Sequence, residues 1–214
     1  MGYETSVITL QNGVESHELL GTILGPSNIL PGAYWASSHI QSPGVIVEDV
    51  PARVSFGELD DTGSLRALDI RAVFRGAGID TELYLDPLQL LWQKFIVLSS
   101  LSSVTSAART RPKELFAFHG ARKMFCDAME EALAVGLAKG VNLSDNLAHE
   151  CMEWIDSLPA FQVSMHGDFE AGRPTELDSL SGAVIRLGKQ VGVKTPVHEL
   201  LYSVLLPHKD GRAS

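Results

Sequence analysis

Cysteine is nearly absent: Cys126 and Cys151 are the two thiols in 214 residues. Two thiols cannot build a disulfide framework, so a reduced compartment, the cytoplasm, is the expected setting. Basic charge is also short. Seventeen Lys and Arg stand against 26 Asp and Glu, a net charge of −9, which argues against the basic face a nucleic-acid partner requires. No apolar run approaches the ~20 residues of a membrane helix. The opening MGYETSVITLQNG lacks the basic start and sustained apolar stretch of a secretory leader. Met1-Gly2 with Ser6 fits the outline of a myristoylation signal, but Ser6 opens a strand-like run and no basic patch supplies a second anchor. No G-x-G-x-x-G and no P-loop occur. The seven histidines show no metal-ligand spacing, and the contiguous His149-Glu150-Cys151 would diverge around a helix, so no metal site is expected. His166 between Ser164 and Asp168 has no G-x-S-x-G elbow to make it part of a hydrolase triad.

Hydrophobic residues make up 45% and charged residues 20% of the chain, enough for a packed core in one large domain or two small ones. The pattern changes near Asp86. Upstream it is α/β. Residues 6–10 read as a strand ended by Gln11-Asn12-Gly13, and 15–24 as a helix with Leu19, Leu20, Ile23 and Leu24 on one side. Strands are expected at 33–40, 44–50 and 53–58, with turn chemistry at Ser42-Pro43-Gly44. A helix follows at 63–77, with Leu65, Leu68 and Ala72 on one face, then a strand at 79–85.

Downstream the pattern is helical. Asp86-Pro87 is a carboxylate cap followed by proline at the first helical position, opening a helix to about residue 108. A second is expected at 114–139, interrupted near Gly120, with Phe125, Met129, Leu133 and Leu137 four apart. A third covers 142–158. One or two more lie in 164–191, with Ser164 as a cap and Pro174 opening the second so that Glu176 and Asp178 fall in its first turn. The last starts at Thr195-Pro196 and carries Leu200, Leu201, Val204 and Leu205, and 209–214 reads as a frayed tail. The domains expected are 1–85, 86–208 and that tail.

Three features could carry chemistry. Lys94 sits among Leu90, Leu91, Val97 and Leu98 at helical spacing. It either snorkels to water or is desolvated, and desolvation would lower its pKa and make it a proton donor near neutral pH. Ser164 and Glu176 would lie about 18 Å apart on one straight helix; the Gly172–Pro174 break lets them turn toward one pocket, or simply marks two capped helices. Asn12 after a strand stands where open α/β sheets bind ligands, and is equally a common turn residue.

The order of these features resembles the ketopantoate reductases (2-dehydropantoate 2-reductases). The resemblance runs from Thr9-Leu10-Gln11-Asn12-Gly13 through Phe56-Gly57-Glu58-Leu59 and Leu91-Trp92-Gln93-Lys94 to Ser164-Met165, Asp168, Gly172-Arg173-Pro174-Thr175-Glu176-Leu177-Asp178 and Gly182. Gly192-Val193-Lys194-Thr195-Pro196 and Leu201-Tyr202 complete it. It implies an α/β remnant of a Rossmann-type dinucleotide-binding domain over 1–85, followed by an all-α helical C-terminal domain. It covers essentially this whole chain but only about the C-terminal two thirds of a typical member, so the segment with the glycine-rich NADPH phosphate loop is expected to be missing. The family reduces the ketone of ketopantoate with NADPH, giving pantoate on the route to pantothenate and coenzyme A.

By that resemblance Lys94 is the general acid, supported by Glu176, which also positions the substrate hydroxyl or the cofactor. Asn12 lies at the junction of cofactor and substrate. Ser164 binds substrate, with Asp168 behind it and Ser102 on the lysine helix. The family has asparagines four and eight residues after the lysine; here they are Leu98 and Ser102, which unsettles the choice of substrate. The expected function is NADPH-dependent reduction of 2-dehydropantoate, a small-molecule keto acid, with no nucleic-acid or membrane partner and a homodimer as the assembly. The alternatives are a non-catalytic helical interaction module that kept the fold, and a reductase of another 2-oxo acid or opine type. A truncated sheet would expose apolar surface, so the isolated chain is expected to associate.

Overall fold

The computed structural model describes residues 5–60, 63–158 and 161–211. Met1-Gly2, Pro159 and the last three residues of the expected tail lie outside the described residues. The chain divides into two compact units, Met1–Leu91 and Trp92–Ser214.

The first unit is a four-stranded mixed sheet with two helices. Strands β1 (Val7–Thr9), β2 (Ile29–Ser42), β3 (Val45–Phe56) and β4 (Asp80–Leu83) lie in the order β1-β2-β3-β4. The β1–β2 and β3–β4 pairs are parallel and the β2–β3 pair antiparallel. β2 and β3 form one long hairpin turning at Pro43-Gly44, where Gly44 takes φ +83°, a conformation glycine reaches without strain. The two strands expected at 44–50 and 53–58 are therefore one. Trp35 pairs with Arg53 and Ser37 with Val50, so β3 carries one extra residue across that stretch. Such a bulge accommodates a proline like Pro51, which cannot donate to the ladder.

Helix α2 (Leu65–Gly76) is capped by Ser64, whose Oγ accepts the Ala67 N–H at 3.1 Å. It packs through Ala67, Ile70 and Phe74 onto Leu30, Val54 and Phe56, and Phe74 meets Phe56 edge-on at 6.2 Å. The face expected to be inside, Leu65 and Leu68, points out: Leu65 is 79% exposed. Its rotation is fixed by the larger ring of Phe74 and by Arg66. That guanidinium forks onto buried Glu58 (2.7 and 2.5 Å) and reaches the Ser27 carbonyl at 2.6 Å, while Ser64 Oγ also bonds the carboxylate. Helix α1 (Ser16–Leu24) shows the same inversion. Leu19 and Ile23 are exposed, and His17 and Gly21 are buried instead. Beyond β3, Gly57 N–H donates to the Pro31 carbonyl (3.1 Å), and a Cβ at Gly57 would lie 2.0 Å from the Tyr84 oxygen, so only glycine fits there.

The second unit is helical. α3 (Pro87–Ala108) opens as expected, with Asp86 Oδ1 accepting the Gln89 N–H at 2.9 Å. The short α4 (Pro112–Leu115) and α5 (His119–Ala138) are separated at residues 116–118, slightly before Gly120. Phe116 stacks on Phe125 there, with 4.9 Å between ring centres. Phe125, Met129 and Leu133 form the buried stripe of α5, whereas Leu137, the last of the expected repeat, is exposed one residue before the helix ends. α6 (Leu147–Ser157) starts five residues later than expected because residues 142–146 make a turn around buried Leu143.

Three expectations fail at the next elements. Ser164 is the first residue of α7 (Ser164–Ala171), not its cap, which is Val163. Pro174 opens no helix. After Gly172 at φ 68°, residues 173–180 stay in turns and α8 (Ser181–Val191) begins beyond them, because outside partners hold this segment's amides. The Arg173 N–H goes to the Asp168 carbonyl (2.9 Å) and the Thr175 N–H to the Lys209 carbonyl (2.7 Å). Nor is the described part of the tail frayed: Lys209 Nζ also bonds Asp178 Oδ2 at 2.8 Å. α9 (Pro196–Leu205) starts at Thr195-Pro196 and buries Leu201 and Leu205, leaving Leu200 and Val204 exposed.

Candidate functional site

Lys94 lies on the second turn of α3 with buried Leu91, Trp92, Phe95 and Ile96 around it in sequence. The lysine itself is half-buried. Desolvation lowers its pKa to about 8, and the Glu176 carboxylate acts in the opposite direction. The helix thus holds its ammonium at the edge of ionisation near physiological pH, with one named carboxylate favouring the charged form.

Glu176 is delivered by the 173–180 turns, and its neighbours explain its placement. Arg173 bridges back to Asp168, with Nε and a terminal nitrogen 2.8 and 2.7 Å from Oδ1. Thr175 donates its amide to Lys209. Leu177 is fully buried. Asp178 accepts from Tyr202 (2.6 Å) and Lys209 (2.8 Å), and its carbonyl accepts from Arg186 (3.0 Å). The residues flanking Glu176 are tied elsewhere, and its half-buried carboxylate lies near enough to Lys94 to favour the charged ammonium. Hydrogen bonds from the Lys209 ammonium first and the Tyr202 hydroxyl second hold Asp178 below the ordinary carboxylate range.

A buried relay fixes α3 itself. His198 is fully buried, and burial lowers its pKa to about 4, so the ring is neutral. Nε2 lies 3.0 Å from the Ala128 carbonyl, which can only accept, so Nε2 carries the proton and Nδ1 is bare. Ser181 Oγ, 2.9 Å away, therefore donates to Nδ1, and Ser103 Oγ donates to Ser181 at 2.6 Å. One chain of hydrogen bonds thus joins α3, α8, α9 and α5. Glu131 caps α9 by accepting the amides of Val197 (2.8 Å) and His198 (3.0 Å).

The expected site residues fall into groups. Lys94 and Glu176 are brought together. Ser164 is exposed at the start of α7, and Asp168 is engaged by Arg173. Ser102, two turns beyond Lys94, is wholly buried, and its Oγ has no protein hydrogen-bond partner. Asn12 is half-buried in the loop after β1, in the first unit. The Ser103–Ser181–His198 relay and the Lys209 clasp went unread, since their partners lie 17 to 78 residues apart and no local pattern links them. Among the described residues no cluster of metal-ligating side chains occurs and no helix is long and apolar enough to cross a membrane.

Comparison with known proteins places this arrangement. The curated 2-dehydropantoate 2-reductase of Mycobacterium tuberculosis is 28% identical over 208 residues, covering 97% of this chain and 68% of its own length. That of Halobacterium salinarum is 24% identical over 206 residues, covering 96% and 68%. This chain thus spans about two thirds of the relatives it matches. The solved 2-dehydropantoate 2-reductase of Geobacter metallireducens superposes with a TM-score of 0.89 at 25% identity, covering 97% of this chain and 69% of that one. D-mandelate dehydrogenase in complex with NADH shares the fold at a TM-score of 0.87 and 20% identity, covering 96% and 70%. The class is that of oxidoreductases with a small sheet unit followed by a helical unit. Residues 86–209 match the family description "Ketopantoate reductase PanE/ApbA C terminal" and residues 1–61 match "Ketopantoate reductase PanE/ApbA". The chain belongs to the ketopantoate reductase family.

Proposed function

We propose that this chain carries the proton-donating and substrate-binding part of an NADPH-dependent 2-oxo acid reductase, the reaction being the one for which its relatives are named, 2-dehydropantoate to pantoate. The observation that carries the reading is the half-buried Lys94 on an otherwise apolar stretch of α3, its ammonium desolvated and its charge favoured by Glu176.

The residues present fit one end of the cofactor. Asn12 follows the carboxyl end of β1, the position from which such sheets meet a ligand. The 214 residues hold no glycine-rich phosphate loop, so the pyrophosphate has no cradle of that kind in this chain. When bound, the nicotinamide supplies hydride to the ketone carbon. Lys94 supplies what the oxygen needs: its ammonium donates a hydrogen bond to the carbonyl oxygen and then a proton to the alkoxide. With its pKa near 8, about nine lysines in ten are protonated at pH 7. Glu176 keeps the positive charge in place. Ser164, at the exposed first turn of α7, is a hydroxyl for the substrate's polar groups. A homodimer in the cytoplasm is the proposed setting; a dimeric ketopantoate reductase from Staphylococcus aureus shares the fold at a TM-score of 0.84.

The test is NADPH oxidation by the chain with 2-dehydropantoate, beside Lys94→Ala. Turnover is expected to fall about 10²–10⁴-fold in the variant with its melting transition retained. Equal turnover in the two proteins would overturn the assignment.

A further inference from the structure

Residues 11–15 lie in neither helix nor strand, and Gly13 takes φ 102° there, a conformation that residues with a side chain rarely adopt. The turn after β1 therefore calls for glycine next to Asn12. Glycine leaves the nitrogen of the Asn12–Gly13 peptide bond without a Cβ beside it. Among the described residues that amide donates to no backbone carbonyl. The other asparagines, Asn28, Asn142 and Asn146, precede Ile29, Leu143 and Leu147, whose buried, branched side chains crowd the corresponding nitrogens. Asn28 is held further by its Nδ2, which donates to the Leu24 carbonyl at 2.8 Å. Asn12 is thus the asparagine whose following nitrogen is least obstructed, and it is half-buried rather than sealed in the core.

We infer that Asn12 is a self-modification site, converted in the folded chain to aspartate or isoaspartate by the glycine that its turn requires. The Gly13 nitrogen attacks Asn12 Cγ. The new N–C bond closes a cyclic imide as the Cγ–Nδ2 bond breaks, and ammonia leaves with the proton that the Gly13 nitrogen gives up. Water then adds to either imide carbonyl and opens the ring. One opening restores the ordinary backbone with a carboxylate at residue 12; the other routes the backbone through the side-chain carbon and leaves the carboxylate on the former main chain. Either product exchanges an amide with two donor hydrogens for a carboxylate that donates none, and places one more negative charge after the carboxyl end of β1. The modification stands apart from the reductase reading. Its effect on turnover rests on that reading, in which Asn12 lies where cofactor and substrate meet.

The full chain is kept folded in mildly alkaline buffer beside the same chain unfolded in guanidinium, and both are followed by peptide mass and by anion exchange. The Asn12 peptide is expected to gain about 1 Da in both, ahead of the peptides carrying Asn28, Asn142 and Asn146. A more acidic species is expected to grow in at the position of an Asn12→Asp chain. Asn12→Gln, whose longer side chain must close a larger ring, is expected to keep its mass. An Asn12 peptide that stays unchanged in the folded chain while the unfolded chain converts overturns the inference, as does a gain that comes first at another asparagine. Turnover of Asn12→Asp with 2-dehydropantoate is expected to fall about 10- to 100-fold. Unchanged turnover overturns the effect on the site and leaves the modification standing. Absence of turnover in the unmodified chain counts against the reductase reading, while the mass measurement still decides the modification.

Discussion

The helical unit and the sheet unit use their apolar residues in opposite ways. In α5 the four-residue repeat faces inward: Phe125 and Met129 are fully buried. In α1 and α2 the same kind of repeat faces outward, with Leu19, Ile23, Leu65 and Val73 all more than 60% exposed. The sheet unit instead orients its helices with residues outside that repeat, namely Gly21 in α1 and Ala67, Phe74 and the Glu58–Arg66 fork in α2. Apolar periodicity locates a helix in both units; only where large side chains also fill a common core does it give the rotation.

Substitutions can break that comparison. Met129→Ala opens a hole in the helical core and is expected to cost about 2–5 kcal/mol, read from chemical denaturation. In the sheet unit the largest loss should come from a polar residue. Arg66→Ala strands the Glu58 carboxylate, which is 7% exposed, and is expected to cost about 2 kcal/mol, reduced from a fully buried pair by the exposure of Arg66. The same pair sets an acid limit. Arg66 and Ser64 hold Glu58 below its ordinary 4.5, so its contribution is complete above that pH and is lost as the pH falls through the depressed folded value. An Arg66→Ala chain should show less of that acid-side loss in a pH series of melts.

Glu176→Gln tests the site rather than the core. Since Glu176 raises the pKa of Lys94 against desolvation, its removal should move the alkaline limb of the turnover profile to lower pH. An unmoved limb would separate Glu176 from the lysine's charge. Ile23→Ser should be the mildest change, within about 0.5 kcal/mol. A loss comparable to Met129→Ala would mean that the α1 face is covered in solution.

Much of the fold was legible because its signals are local. Asp86-Pro87 places a helix start by satisfying a nearby amide, and Thr195-Pro196 places another through the proline at its first position. Lys94 was legible for a related reason, as a charge amid apolar helical neighbours. The turn at 173–180 was not. Proline followed by acidic residues reads as a helix start, and what prevents the helix is a carbonyl 34 residues away at Lys209. The merged β3 strand was hidden likewise, since a proline reads as a strand end until a bulge in its own strand absorbs it.

The Lys209 clasp ties the segment after α9 to the turn that carries Glu176. Trimming behind His208 would release the Thr175 amide and leave Asp178 to Tyr202 alone, loosening the turn that carries Glu176. A clipped preparation would keep its helices and its melt while its glutamate wandered. Proteolysis before Lys209 would be read as a lower intact mass.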